Sequence, residues 1–207
     1  ALLYALPGWC ELVSIARCVG MLTSVLWIIG PTRREKSSRV PNHLVDLMWH
    51  LLLIGGAVMI AAAMAELLWQ ANQMTGRPIS GLLPVLPTVI LRTHIGHMWL
   101  IRMATLVIFL LVLAKWDRHL HLITGAVLLL CFMAIVSGTR SLSRHAADTG
   151  NFTLATLSDW LHLSAASVWG GGLAVLSIII LPWMLRDHSP PIIAEIVSRF
   201  SRAAGIA

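Results

Sequence analysis

The sequence predicts an all-α protein, a polytopic transmembrane helical bundle with five complete spans and the start of a sixth. Of the 207 residues, 57% are hydrophobic and only 12% are charged, about half the charged fraction of a soluble domain. The mean hydropathy is +0.82. The apolar residues also gather in stretches that can cross a ~30 Å hydrocarbon layer, which takes ~20 helical residues.

Polar or proline-containing connections separate the apolar stretches. Pro41 precedes the second span, and Thr153 or Asn151 is the expected cap of the fifth. We predict spans over residues 9–30, 42–71, 89–114, 119–137 and 153–182, with a sixth helix opening at Pro190-Pro191. We expect residues 1–207 to form one transmembrane domain, the N-terminal two-thirds of a longer protein. The first span carries Glu11 and Arg17 and lacks a cleavage-site pattern, so it is not read as a signal peptide.

Lysine and arginine predict the orientation of the spans. They are concentrated in residues 31–41, 115–118 and 183–202, which the positive-inside rule places in the cytoplasm. The N-terminus and residues 72–88 and 138–152 then face outward. The formal net charge of +6 does not indicate nucleic acid, because the basic residues lie in short loops without alternating aromatics. The lipid bilayer is the expected partner.

Candidate metal ligands gather in the outer half. His94, His97 and Met98 share one helix face, and Asp159 and His162 share another. His145 lies in the loop that leads to the fifth span. Imidazole and thioether groups suit copper, as Cu(I) or Cu(II), and Asp159 could orient an imidazole through its second nitrogen. A lone intramembrane histidine can instead hydrogen-bond a neighbouring helix.

Trp169 lies in mid-span beside Gly170, Gly171 and Gly172. Glycines let a neighbouring backbone approach closely, so Trp169, Gly171 and Gly172 are candidates for a packed constriction or gate. Arg102 lies one turn beyond Met98 and needs a partner inside the membrane. Its candidate partners are Glu11, Glu66 and Asp159.

A second cluster is predicted at the cytoplasmic end, where His43, Asp46 and His50 recur along the second span. It could be an exit site for the ion or a proton relay. The alternative is a helix cap with a salt bridge, since Asp46 in a first turn also suits the helix dipole. His119 and His121 flank a turn and are expected to be solvated.

The motifs HIGHMWLIR at 94–102, SRHAAD at 143–148, SDWLHLSAASVWGGGL at 158–173 and RFSRAA at 199–204 resemble the bacterial copper resistance protein D family, including its CopD, PcoD and YcnJ-type members. The resemblance points to six positions: His145, Asp159, His162, Trp169, Gly171 and Gly172. It implies copper transport across the cytoplasmic membrane, copper resistance and homeostasis, and a periplasmic copper-binding partner of the CopC type.

The sequence contains no phosphate-binding loop, nucleophile elbow or metalloprotease motif, so an enzyme is not expected. The favoured hypothesis is a copper transport protein of the bacterial inner membrane, with its N-terminus in the periplasm. One alternative is a dihaem b-type electron carrier, which would pair His94 or His97 with His162 and His50 with His121. Another is a structural subunit of a membrane complex. A homo-oligomer remains open under each.

Overall fold

The described part of the chain is almost entirely helical. The structure is a computed structural model that describes residues 2–34, 41–143, 153–187 and 190–205, and these ranges contain no β-strand. Within them the α-helices are, in order, α1 (Leu2–Ser24), α2 (Gly30–Arg34), α3 (Asn42–Thr75), α4 (Leu86–Arg92), α5 (His94–Lys115), α6 (Leu122–Leu142), α7 (Leu154–Ala166), α8 (Gly172–Val175), α9 (Leu181–Asp187) and α10 (Pro190–Ala204).

Short π-helical turns join several of these helices into longer rods. They are Val25–Ile29 between α1 and α2, Ser167–Gly171 between α7 and α8, and Leu176–Ile180 between α8 and α9. A π-turn inserts one extra residue into a helix and often occurs at functional positions. A 3₁₀ turn, Ile79–Gly81, lies between α3 and α4.

Five rods are long and apolar enough to cross a membrane, which confirms the predicted fold class. They cover Leu6–Thr32, Asn42–Thr75, His94–Lys115, Leu122–Leu142 and Leu154–Leu185. The predicted sixth helix is present as α10, which begins at Pro190. Each rod contains an apolar stretch of at least 18 residues with few charged side chains. Because these stretches are helical, hydrogen bonds within the helix satisfy their backbone groups, as the interior of a membrane requires.

Several predicted boundaries were wrong by a few residues, and two of them have a clear structural cause. The third span does not begin at residue 89, because extended Thr93 separates α4 from α5 and accepts a hydrogen bond at Oγ1 from Gly96 N (3.0 Å). The fourth does not end at Ser137-Gly138, because α6 continues to Leu142. The last turn of α6 is held by Arg140, which pairs with Glu11 and donates to Gly8 O of α1, and these contacts override the glycine signal. The cap expected at Thr153 is confirmed: its Oγ1 accepts from Thr156 N (3.3 Å).

Helix α1 is the centre of the bundle and packs against α3, α6 and the α7–α8 rod. The core combines aliphatic side chains with buried Met21, Met59 and Met133. Indole N–H groups connect neighbouring rods. Trp49 Nε1 donates to Leu113 O (2.8 Å) and Trp99 Nε1 donates to Ala63 O (2.9 Å), both joining α3 to α5.

Two helices meet at backbone distance where α1 crosses the π-turn of the α7–α8 rod. A Cβ atom on Gly171 would overlap the Ala16 carbonyl oxygen, and one on Gly20 would overlap the Gly171 backbone. A Cβ on Gly172 would lie 2.8 Å from the Phe200 ring of α10. A neighbouring backbone therefore approaches closely at Gly171, whereas Gly172 meets a side chain and Gly170 has no neighbour within 4 Å.

Candidate functional site

Four helices share a buried network of two carboxylates and two guanidinium groups. Glu11 of α1 is fully buried, bonds Arg140 of α6, and accepts from Arg102 Nη1 of α5 (2.9 Å). Glu66 of α3 lies 3.3 Å from Arg102 Nη1 and 3.7 Å from Arg140 Nη1. The four formal charges cancel, and the mutual attraction of buried opposite charges offsets part of their desolvation. Arg102 is thus paired with Glu11 and Glu66, and the structure does not join it to Asp159.

The same arginines hold the end of α6. Arg102 Nη2 donates to Thr139 O (3.2 Å) and to Ser143 Oγ (3.1 Å), while Arg140 Nη2 donates to Gly8 O (3.0 Å). The last carbonyls of a helix have no intrahelical partner, so cationic donors stabilise this end. We call the end of the bundle that contains this network the His94 end.

His94 and His97 each bond one ring nitrogen to a backbone carbonyl. His94 Nε2 lies 3.1 Å from Leu142 O of α6, and His97 Nε2 lies 3.0 Å from Leu91 O of α4. A carbonyl only accepts, so the network assigns the proton to Nε2 in both rings. In a neutral ring, the lone pair is then on Nδ1. Metal-ligating histidines usually have this arrangement, with one nitrogen held by a carbonyl and the other free for the ion. Met98, the thioether candidate, follows His97 and is half-buried.

Asp159, His162 and Trp169 lie along one exposed side of the rod that begins with α7. Trp169 is 58% exposed, so its indole points away from the contact that Gly171 makes with α1. The close helix crossing and the tryptophan are therefore separate features of this rod. The predicted gate role of Trp169, Gly171 and Gly172 stays a prediction.

The complete predicted ligand set is not assembled in the described residues. Within the described ranges, no three His, Cys, Asp or Glu side chains stand close enough to hold a metal ion. His145 lies outside these ranges. Its place relative to His94, His97 and His162 stays a prediction.

The opposite end, which we call the Asp46 end, has an ion pair between helix α3 and the turn that follows α5. Asp46 Oδ1 accepts from Arg118 Nε (2.7 Å) and lies 3.3 Å from His119 Nε2. His50 Nδ1 bonds the Asp46 carbonyl oxygen (2.7 Å), which leaves its Nε2 free. His43 is exposed. His119 is exposed, in line with the expectation that it is solvated, and the turn after α5 also places its ring beside Asp46.

Sequence reasoning missed Arg140 as a member of the buried network. Ser137-Gly138 resembles a helix end, and a helix that ended there would place Arg140 in a loop. A usable signal was present: Glu11 and Glu66 are two intramembrane carboxylates, and Arg102 alone leaves one of them unmatched.

Five membrane-crossing helices around a charge-balanced core, with histidines at both ends, define a polytopic helical membrane protein. The chain belongs to the copper resistance protein D-like family. The family model described as "Copper resistance protein D-like, N-terminal domain" matches residues 2–154. No curated protein sequence and no solved structure matches the chain. The family match ends as α7 begins, so Asp159, His162 and Trp169 lie beyond it.

Proposed function

We propose that the protein transports copper across the bacterial cytoplasmic membrane, with its His94 end toward the periplasm. Membership of a copper resistance family supports a role in copper handling. The observation that supports the proposal further is the way in which hydrogen bonds orient the rings of His94 and His97. Both rings are oriented by backbone carbonyls at Nε2, which leaves Nδ1 as the nitrogen that a metal ion can reach. Such pre-orientation suits a ligand, and Met98 adds a thioether for Cu(I).

The route begins at the periplasmic side in this proposal. A copper-binding protein of the CopC type delivers the ion to His94, His97, Met98 and His145, and the ion then moves to His162. Asp159, one turn from His162, holds the imidazole or accepts its proton. At the Asp46 end, His50 and His43 receive the ion beside Asp46. No covalent step is involved, so the function is binding and transfer rather than enzymatic catalysis.

The charge-balanced network does not compete for copper in this scheme. Glu11 and Glu66 are engaged by two guanidinium groups, so they offer no spare negative charge to a cation. The network instead holds Ser143 at the end of α6, immediately before the segment that carries His145. Arg102 would therefore act on copper through the position of that segment and not as a ligand.

The test is copper binding by purified protein, with the absorbance spectrum recorded on the same sample. His94→Gln places an amide N–H near the former Nε2–H and removes the Nδ1 ligand, whereas His94→Asn places its amide near Nδ1. We expect His94→Gln to keep the bond to Leu142 O and the thermal stability. It should weaken copper binding by about tenfold or more, the range seen when metal-site groups are lost.

His121→Gln is the matched control, because it removes an imidazole outside the predicted ligand set. Copper binding that is unchanged in His94→Gln, His97→Gln and His162→Ala would contradict the proposal. A Soret band with two haems per chain would favour the electron-carrier alternative. Because imidazole must be neutral to bind the ion, copper affinity should also fall as the pH is lowered.

A further inference from the structure

A second layer of buried side chains lies two helical turns below the charge network. Each network residue has a counterpart seven residues closer to the Asp46 end of its own helix, on nearly the same face and about 10 Å deeper at ~1.5 Å per residue. These four counterparts are fully buried and belong to one core cluster: Cys18 of α1, Met59 of α3, Phe109 of α5 and Met133 of α6. Three of the four carry sulfur, so we call them the sulfur layer.

The helices that meet at the network stay together at this depth. The two indole hydrogen bonds between α3 and α5 lie on either side of the sulfur layer, one toward each end of the bundle. These two helices therefore keep one antiparallel register through the layer. Helix α6 packs against both α1 and α5. On α3, a Cβ atom at Gly55 would lie 2.6 Å from Cys18 Sγ, so the thiol faces α3 one turn from Met59.

A cationic group without a counter-charge lies beside the thiol. The same Cβ position on Gly55 is 3.2 Å from Arg17 Nη2. Among the described residues, Arg17 forms no ion pair, and its buried Nε has no hydrogen-bond partner. An unpaired arginine in the middle of a span is costly, and the charges of the network already cancel one another. A guanidinium group favours the thiolate form of a neighbouring cysteine, so a thiolate at Cys18 would supply the missing negative charge.

We propose that Cys18, Met59 and Met133 bind one Cu(I) ion in the centre of the bundle. Thiolate and thioether sulfur select Cu(I), whereas Cu(II) is typical of nitrogen and oxygen ligands. Methionine is unbranched and flexible, so its sulfur can adjust to an ion. Binding replaces the S–H bond of Cys18 with a sulfur–copper bond, and the proton is released to water. The ion keeps its oxidation state.

This site rests on the proposed copper function and extends it, because the proposed ligands leave a gap between His162 and His50. Helix α1 and the α7–α8 rod both run from the His94 end and touch at Ala16 and Gly171. Cys18 therefore lies at about the depth of Gly171, which is nine residues and about 13 Å below His162. His50 lies further toward the Asp46 end, so the sulfur layer would be an intermediate position between the two histidines.

X-ray absorption at the copper edge tests the site, because it distinguishes sulfur from nitrogen ligands. The purified full chain is loaded with Cu(I) without oxygen, against a competing Cu(I) chelator. His94→Gln is the background, since it disables the proposed outer site. We expect sulfur-bound copper in this background. Adding Cys18→Ala, or Met59→Leu together with Met133→Leu, should remove that signal and weaken binding by about tenfold or more.

Methionine-to-leucine changes conserve volume, so the metal-free double variant should unfold close to the temperature of the parent protein. It therefore decides the question even if Cys18→Ala fails to fold. Cys131→Ser and Met64→Leu are the matched controls, because they remove sulfur from exposed positions on α6 and α3. Both should keep the sulfur signal. Copper bound only through nitrogen or oxygen would overturn the proposal, as would unchanged sulfur ligation in Cys18→Ala or in the double variant.

Copper uptake by proteoliposomes separates this site from the proposed function. Sulfur-bound Cu(I), together with uptake that is lost in Cys18→Ala, supports both. Sulfur-bound Cu(I) in a parent protein that moves no copper supports the site and contradicts the transport function. Uptake by a parent protein whose copper has no sulfur ligand contradicts the site alone.

Discussion

Ionisable residues occur in two contrasting places within the membrane-crossing rods. In the network of Glu11, Glu66, Arg102 and Arg140, each acid lies within 4 Å of a base and three of the four side chains are almost fully buried. On α7, Asp159 and His162 are exposed and form no ion pair with another described residue. The first arrangement holds four helices together. The second leaves a carboxylate and an imidazole accessible on the surface of a helix.

The contrast shows that an intramembrane charge does not by itself indicate a ligand. Buried charges that are matched in number and geometry are strongly held, and removing one partner leaves another uncompensated. Exposed charges contribute little to folding. Substitutions should therefore affect stability in the network and leave it almost unchanged at Asp159 and His162, with the reverse pattern for copper binding.

The largest effect on stability is expected for Glu11→Gln. It removes one negative charge from between two guanidinium groups, and breaking a buried pair in this way costs about 3–5 kcal/mol. Asp159→Asn is the matched control, since it makes the same carboxylate-to-amide change at an exposed position of α7. Thermal unfolding, followed by tryptophan fluorescence in detergent, should show a large fall in unfolding temperature for Glu11→Gln only. Equal losses in both variants would remove the distinction between the two regions.

The next largest effect is expected at the crossing of α1 with the π-turn. Gly171→Ala forces a Cβ atom into the Ala16 carbonyl, so the two helices must separate, and overpacking of this kind costs about 1–3 kcal/mol. Gly170→Ala is the neighbouring control, with open space at that position. A loss of stability in Gly171→Ala, with the stability of Gly170→Ala unchanged, would show that the close contact with α1 lies at Gly171. An unchanged Gly171→Ala would contradict the crossing.

The sequence predicted the fold class well, because five long apolar stretches leave few alternatives. It also predicted that Asp159 and His162 share a face, since helical periodicity fixes that relation. It could not give the direction of that face, because small residues occur on two sides of the rod: Gly171 faces α1 and Gly170 does not.

Tertiary packing decided the details that the sequence could not. Arg140 belongs to the network only because α6 runs past Gly138, and that extension depends on Glu11 of a distant helix. The ring of His119 lies beside Asp46 because of the turn after α5. The tautomers of His94 and His97 follow from carbonyls on α6 and α4, which no local pattern reveals.

A smaller effect is expected at the Asp46 end. Asp46 and Arg118 are both about one-third exposed, and ion pairs in contact with solvent contribute little because water and salt screen them. Asp46→Asn and Arg118→Gln should each lower the unfolding temperature only slightly, and the double variant should lose no more than the sum. High salt should reduce the difference in unfolding temperature between each variant and the parent protein. A loss as large as that of Glu11→Gln would contradict the contrast between buried and exposed pairs.

The smallest effect is expected at Asp117, in the turn between α5 and α6. The backbone N–H groups of Leu120 and His119 donate to Asp117 Oδ1 (3.1 and 3.0 Å) and hold the pKa of this carboxyl below its ordinary value of 3.8. A lowered pKa stabilises the fold above the unfolded-state value, and this contribution is lost as pH falls through the folded-state pKa. Asp117→Asn keeps the acceptor oxygen but not the charge. Its unfolding temperature should therefore lie slightly below that of the parent protein at neutral pH and converge with it on acidification below about pH 4. A difference that stayed constant down to that pH would show that the charge of Asp117 does not contribute to the turn.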